Sequence, residues 1–163
     1  MTLNYYIIDT SSLIKLNRDN PLDVFPSIWK NLSNLVKNDR LIAPKEVLNE
    51  IKQNDDQLCK WAKNQRNMFK EPTAQQIHYV KEILKKYPAI VDIDSKYSAD
   101  PWVIALALEM IHNKQKTLIS IKRIVVTEEK LRGNKVKIPF ICKDSAIESI
   151  DIITMFRIEG WKF

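Results

Sequence analysis

Two short runs in this chain, Tyr5-Tyr6-Ile7-Ile8 and Ile124-Val125-Val126, are apolar without alternation. A strand wetted on one face alternates apolar with polar, so an unbroken run of branched and aromatic side chains is one that must be covered on both faces. Such strands need helices above and below them, and the sequence supplies these. Phe25, Ile28, Trp29, Leu32, Leu35 and Val36 recur at three- and four-residue spacing, the stripe of an amphipathic helix. Residues 102–111 are apolar almost all round, which predicts a helix buried on every side. Arg40-Leu41-Ile42-Ala43 reads as a second strand, with Pro44 at the first position of a helix that turns Val47, Leu48 and Ile51 inward.

Elsewhere the pattern predicts two helices and little else over residues 53–87. The first is capped by Asp55 or Asp56, and the second starts at Pro72-Thr73 with Ile77, Val80, Ile83, Leu84 and Tyr87 inward. Ile138-Pro139-Phe140-Ile141-Cys142 reads as a further strand, with Pro139 at a sheet edge or at the strand's start. A last helix follows, capped by Asp144 or Ser145, carrying Ile147, Ile150, Ile153 and Phe156 and ended by Gly160. Strands alternating with helices predict an α/β architecture with a small parallel sheet, in one domain over residues 1–163.

Against that frame, four acids stand where apolar elements begin or end. Asp9 follows the first strand, Glu50 lies on the helix after Pro44, Asp100 opens the buried helix, and Glu129 comes just past the strand that ends at Thr127. In parallel sheets, ligand sites lie at the carboxyl ends of the strands. Carboxylates gathered there repel one another unless a cation shares them, and all-oxygen clusters suit hard divalent ions such as Mg²⁺ and Mn²⁺. The plainer reading of Asp9 and Asp100 is as helix caps, but Thr10, Ser11 and Ser12 beside the first and Ser98 beside the second offer caps of their own. Glu46 shares a helix face with Glu50, so either can point inward. His78 has no second His or Cys nearby and reads as an ordinary side chain at the edge of a helical stripe.

Composition excludes several classes. With only 2 glycines, at Gly133 and Gly160, there is no Gly-rich phosphate loop of either the P-loop or the dinucleotide-binding kind. The net charge of +6 favours a polyanionic partner, though weakly. Cys59 and Cys142 form no CxxC pair and read as reduced core thiols of a cytoplasmic protein. The start of the chain lacks a signal-peptide pattern and no apolar run approaches a membrane span, so no membrane association is expected.

Ile7-Ile8-Asp9-Thr10-Ser11, Ala43-Pro44 leading to Leu48-Asn49-Glu50-Ile51, Asp100-Pro101-Trp102-Val103-Ile104-Ala105-Leu106-Ala107, and Val125-Val126-Thr127-Glu128-Glu129 together resemble, in order, the four acidic motifs of the PIN domain. The likeness spans roughly residues 5 to 145, and its Asp-Pro-Trp version of the third motif is similar to that of an uncharacterised bacterial PIN-like group. The resemblance implies a three-layer α/β/α fold with four to five parallel strands. It also implies a Mg²⁺- or Mn²⁺-dependent endoribonuclease, often the toxin of a toxin–antitoxin pair. The partners it implies are RNA, an antitoxin protein and a second copy of the chain in a homodimer. By motif, Asp9, Glu50, Asp100 and Glu129 match the catalytic acids, with Asp9, Asp100 and Glu129 as metal ligands. The family more often has Asp at the fourth position, and Glu128 is the alternative to Glu129 there. Thr10, Ser11, Thr127 and Lys15 are candidate substrate contacts, and Lys96, Lys130, Arg132 and Lys143 lie near the motifs in sequence.

Two rival readings remain. An aspartate-nucleophile phosphatase needs a second Asp two residues after the first, where this chain has Ser11. A PIN-like module with weak catalysis, serving as an RNA- or protein-binding partner, shares the fold but has no need to gather four acids.

Overall fold

A computed structural model describes residues 2–54, 56–91, 98–113 and 118–163. The sheet has five strands, all parallel: β1 (Thr2–Ile8), β2 (Leu41–Pro44), β3 (Phe69–Lys70), β4 (Ser120–Val126) and β5 (Glu148–Ile150). Their order is β3-β2-β1-β4-β5. The chain therefore builds outward from β1 to one edge, returns, and builds outward to the other. Among the described residues, eight α-helices complete a three-layer α/β/α arrangement: α1 (Thr10–Asp19), α2 (Pro26–Lys37), α3 (Lys45–Ile51), α4 (Gln57–Asn64), α5 (Ala74–Lys86), α6 (Asp100–His112), α7 (Ile138–Asp144) and α8 (Ile152–Ile158).

The unalternating runs do what their composition demands. Tyr6, Ile7, Ile8, Ile124, Val125 and Val126 are all buried, in register from Tyr6 opposite Ile124 to Ile8 opposite Val126. Helix α6 touches β1, β2 and β4 and is flanked by α5 and α7. Val103, Ile104, Ala105 and Ala107 are wholly buried, as a helix apolar on all sides must be. The stripe on α2 packs on β2, with Ile28, Trp29, Leu32, Leu35 and Val36 buried and Trp29 edge-on to Trp61 of α4 at 5.0 Å. Asp56, Thr73 and Asp151 accept backbone N–H bonds at the starts of α4, α5 and α8.

The carboxyl-terminal third corrects the sequence reading. Residues 138–142 are helical, not a strand, because Pro139 stands in the first turn of α7, where its fixed φ favours a helix and its missing N–H costs nothing. A five-residue apolar run carries no period by which to tell strand from buried helix. The last strand is β5, and α8 starts at Asp151 rather than at Asp144 or Ser145. Gly160, with φ +71°, follows α8 in the left-handed conformation that ends a helix. Three smaller differences follow the same logic. Pro44 ends β2 and precedes α3 instead of entering it, a two-residue strand β3 appears at the edge beside β2, and Ile77 on α5 is 41% exposed. Asp55 and Lys96, like the acids Asp92 and Asp94, lie outside the described residues. Cys59 and Cys142 are both free and buried. No helix among the described residues is long and apolar enough to cross a membrane.

Candidate metal centre

With strand order β3-β2-β1-β4-β5, the chain reverses direction of growth between β1 and β4. Crossovers leave on opposite sides there, which opens a crevice at the carboxyl ends of those two strands. The Asp9 N–H bonds the Val126 carbonyl at 2.8 Å, so the residue after β1 sits level with the end of β4. Asp9, Asp100 and Glu129 each bring one carboxylate oxygen into a group whose members lie within 4.8 Å of one another.

Each member is placed by its own element. Asp9 is the residue before α1, and one of its oxygens accepts the Thr10 N–H at 2.8 Å. It is therefore a helix cap and a member of the cluster at once. Its second oxygen accepts the Ser11 hydroxyl at 2.7 Å and the Thr127 hydroxyl at 3.0 Å. Asp100 is not a cap. Ala99 precedes α6 and Asp100 lies in its first turn. Glu50, on α3, reaches across to accept the Ala99 N–H at 2.7 Å, which leaves the Asp100 carboxylate free of that duty. Glu129 accepts the first N–H of α7, from Ile138, at 3.0 Å.

The two glutamates after β4 divide. Glu128 accepts the Ile152 N–H at 2.9 Å and the Ser12 hydroxyl at 3.3 Å, and pairs with Lys15 at 3.9 Å, so it ties α1 to the start of α8. Glu129 is the one that faces Asp9 and Asp100. Ser11 spans the gap, accepting the Glu128 N–H at 3.0 Å while donating to Asp9. Glu46, the other acid on α3, accepts from Asn49 at 3.2 Å. Lys15 is held between Asp19 and Glu128. His78 is exposed and leans on Tyr79.

No lysine or arginine among the described residues makes an ion pair with Asp9, Glu50, Asp100 or Glu129. The consequence is electrostatic. Burial, then the charges of Asp9, Glu129 and Glu50, push the Asp100 carboxyl up to about 8. Burial raises Asp9 as well, held back by its hydroxyl and N–H donors. Glu50 and Glu129 are raised by burial first and then by Asp9. Burial, then Asp9 and Glu129, likewise push the Cys142 thiol up to about 12, so it is an inert core group. The Thr10 hydroxyl is buried beside Glu50 and favours its charged form.

The donor set is the kind a hard divalent cation takes: carboxylate oxygens only, with neither thiolate nor imidazole among them. Of the four acids singled out in the sequence, Asp9, Asp100 and Glu129 share one group and Glu50 turns to the backbone before α6; Lys137, the cation that acts on Asp100 and Glu129, was not among the sequence candidates. Nothing in the sequence signalled the Glu50 contact, because it joins residues 50 and 99 through the fold.

No curated protein and no solved structure matches this chain. One family model does, over residues 6–163, which takes in all five strands and the whole acid cluster. The chain belongs to the family described as Domain of unknown function (DUF4411).

Proposed function

We propose that this protein is a Mg²⁺- or Mn²⁺-dependent endoribonuclease. The observation that carries the reading is the convergence of Asp9, Asp100 and Glu129 at the β1–β4 crevice with no ion pair to offset them. Like charges gathered in a buried site cost stability, and a bound cation is the simplest source of compensation. Asp9, Asp100 and Glu129 would hold the ion. When bound, such an ion lowers the pKa of water and stabilises the charge that builds on phosphoryl and leaving oxygens. The chain's own residues do the rest. Ser11 and Thr127 fix the Asp9 carboxylate through its second oxygen, so its orientation does not depend on the ion. Glu50, half-buried beside Thr10, would accept a proton from water at the edge of the cluster. The resemblance to PIN domains adds RNA as the substrate, and an antitoxin as the protein partner of a toxin-like member.

A thermal melt with and without Mn²⁺ tests the metal half of the reading. An ion at a hundred times its Kd adds about 2.7 kcal/mol, about 5–10 °C in Tm for a domain of this size. A binding module without a metal site gives no shift. Cleavage of a single-stranded RNA that requires the same ion tests the other half. A metal-induced shift without cleavage would favour the weakly catalytic RNA- or protein-binding module instead.

A further inference from the structure

Between β4 and α7 the chain runs through Lys130, Leu131, Arg132, Gly133, Asn134, Lys135, Val136 and Lys137. This loop is built rather than trailing. Lys135 N–H bonds the Arg132 carbonyl at 3.1 Å, Lys137 N–H bonds the Lys135 carbonyl at 3.1 Å, and Gly133 takes the left-handed φ of +55° that closes the turn. Val136 is half-buried against the core. Two cavities lie on the loop. One, of about 300 Å³, is lined by Glu128, Glu129, Lys130, Arg132, Lys135 and Lys137. The other, of about 400 Å³, is lined by Leu131, Gly133, Asn134, Phe140, Lys143 and Asp144.

The first cavity has four cations against two carboxylates, and the carboxylates are already engaged. Glu128 is spent on Ile152, Ser12 and Lys15, and Glu129 on Ile138 and the acid cluster. Lys130 pairs with Asp151 at 3.7 Å. Arg132, Lys135 and Lys137 make no ion pair among the described residues, and of the three only Lys137 acts on the acid cluster, so Arg132 and Lys135 line one small cavity without a counter-ion. Lys137 is close enough to Asp100 and Glu129 to favour their charged forms, and Glu129 belongs to both the cavity and the acid cluster. The second cavity alternates with the first along the loop and offers an aromatic ring at Phe140 and an amide at Asn134.

We infer that this loop is the track for a single-stranded RNA leaving the acid cluster: Arg132, Lys135 and Lys137 hold a phosphate that flanks the scissile one, and the neighbouring cavity takes a base on Phe140. Cations without partners match a polyanion's backbone, and a ring one cavity away matches a base, the pairing by which single strands are bound. The inference rests on the ribonuclease reading for its direction from the acid cluster, and its test is made separable from that reading by omitting the metal.

The test is fluorescence anisotropy of a labelled 12-nucleotide single-stranded RNA, in metal-free buffer, over a range of KCl. Each phosphate contact on a single strand contributes about 0.7 to the slope of log affinity against log salt. Arg132→Gln with Lys135→Gln should lower that slope by about 0.7, the share of one phosphate, and weaken binding about fivefold at about 0.1 M salt. Arg132→Lys with Lys135→Arg should restore the slope. Lys37→Gln with Lys85→Gln, which removes as much charge from the last turns of α2 and α5, should leave it unchanged. Phe140→Leu should weaken binding about tenfold at unchanged slope, since stacking carries no counterions. An unchanged slope in the Arg132/Lys135 variant, or an equal fall in the Lys37/Lys85 variant, overturns the track; full affinity in Phe140→Leu overturns its base cavity. Cleavage by the wild type with Mn²⁺ is scored separately. A slope that falls as expected in a protein that never cleaves would keep the track and remove the ribonuclease, and the reverse pattern would keep the ribonuclease and remove the track.

Discussion

Buried charge is handled in two ways in this molecule. At the amino end of β2, Glu159 sits against Arg40 at 2.5 Å and accepts the Tyr6 hydroxyl at 2.7 Å, while Arg40 also donates to the Asn4 carbonyl at 2.9 Å. Every charge there has a partner, and the group staples the segment after α8 to β1 and β2. Burial, then Glu159, pushes the Tyr6 hydroxyl upward, so it remains a donor throughout the ordinary pH range. At the carboxyl ends of β1 and β4, acids face acids instead. The first arrangement satisfies itself and has no use for a ligand. The second is satisfied in polar contacts, with donors on Asp9, Glu50 and Glu129, but not in charge. Unbalanced charge in a crevice points to a candidate functional site in a way that buried charge alone does not.

The sharpest way to break this comparison is to neutralise one acid at each place. Asp9→Asn and Asp100→Asn keep shape and remove charge, so each should reduce metal-dependent RNA cleavage by more than ~100-fold, the loss reached when even a ligand's outer partner is removed. Both should stay folded, and neither should melt below the wild type by as much as Glu159→Gln does. That variant leaves Arg40 partly buried without its counter-ion. It should cost about 3 kcal/mol, the low end for such a pair because Arg40 keeps some solvent, and should leave cleavage intact. Cleavage rates and melts of the three proteins check this. A Glu159→Gln protein that folds normally but loses cleavage would show that the two places are not separate.

Much of this contrast was legible in the chain, for reasons that differ by region. The unalternating runs and the all-apolar α6 are strong signals because burial on every side leaves no freedom of composition. Asp9, Asp100 and Glu129 were found because they border those elements. The Arg40–Glu159 staple was not, since nothing local at residue 159 points to residue 40. The run 138–142 was misread because five apolar residues fit either period. The choice between Glu128 and Glu129 turned on which way the chain leaves β4: the fold turns Glu129 toward Asp9 and Asp100, while Glu128 bonds the N–H that opens α8. Glu128→Gln keeps that acceptor and should change cleavage by less than about threefold. Glu129→Gln keeps the bond from Ile138 but removes a charge from the cluster, so cleavage and Mn²⁺ affinity should each fall about 10- to 100-fold. Isothermal titration of Mn²⁺ into both variants measures this, and a larger loss in Glu128→Gln would move the fourth acid one residue back.

The last test reads the charge imbalance directly, without substrate. Asp100 faces Asp9, Glu129 and Glu50, with Lys137 as the cation that acts against them. In the metal-free folded protein its carboxyl titrates at about 8, whereas an unfolded Asp titrates at about 3.9. Between those values the folded state holds a proton that the unfolded state has released. Stability then falls as pH rises through the window and levels off above the folded value. The metal-free protein should therefore melt several degrees higher at pH 5 than at pH 8, against the usual direction for a carboxylate paired with a cation. Asp100→Asn removes the titrating group and should flatten most of that slope. Saturating Mn²⁺ should flatten it too, because an ion competes with the proton for the same oxygens and favours the charged form. Melts at half-unit steps from pH 5 to 8.5, with and without Mn²⁺, give the profile. A metal-free profile that is flat, or that rises with pH and is unaltered by Asp100→Asn, would mean that these carboxylates do not share one site in solution, and the contrast with the Arg40–Glu159 staple would lose its basis.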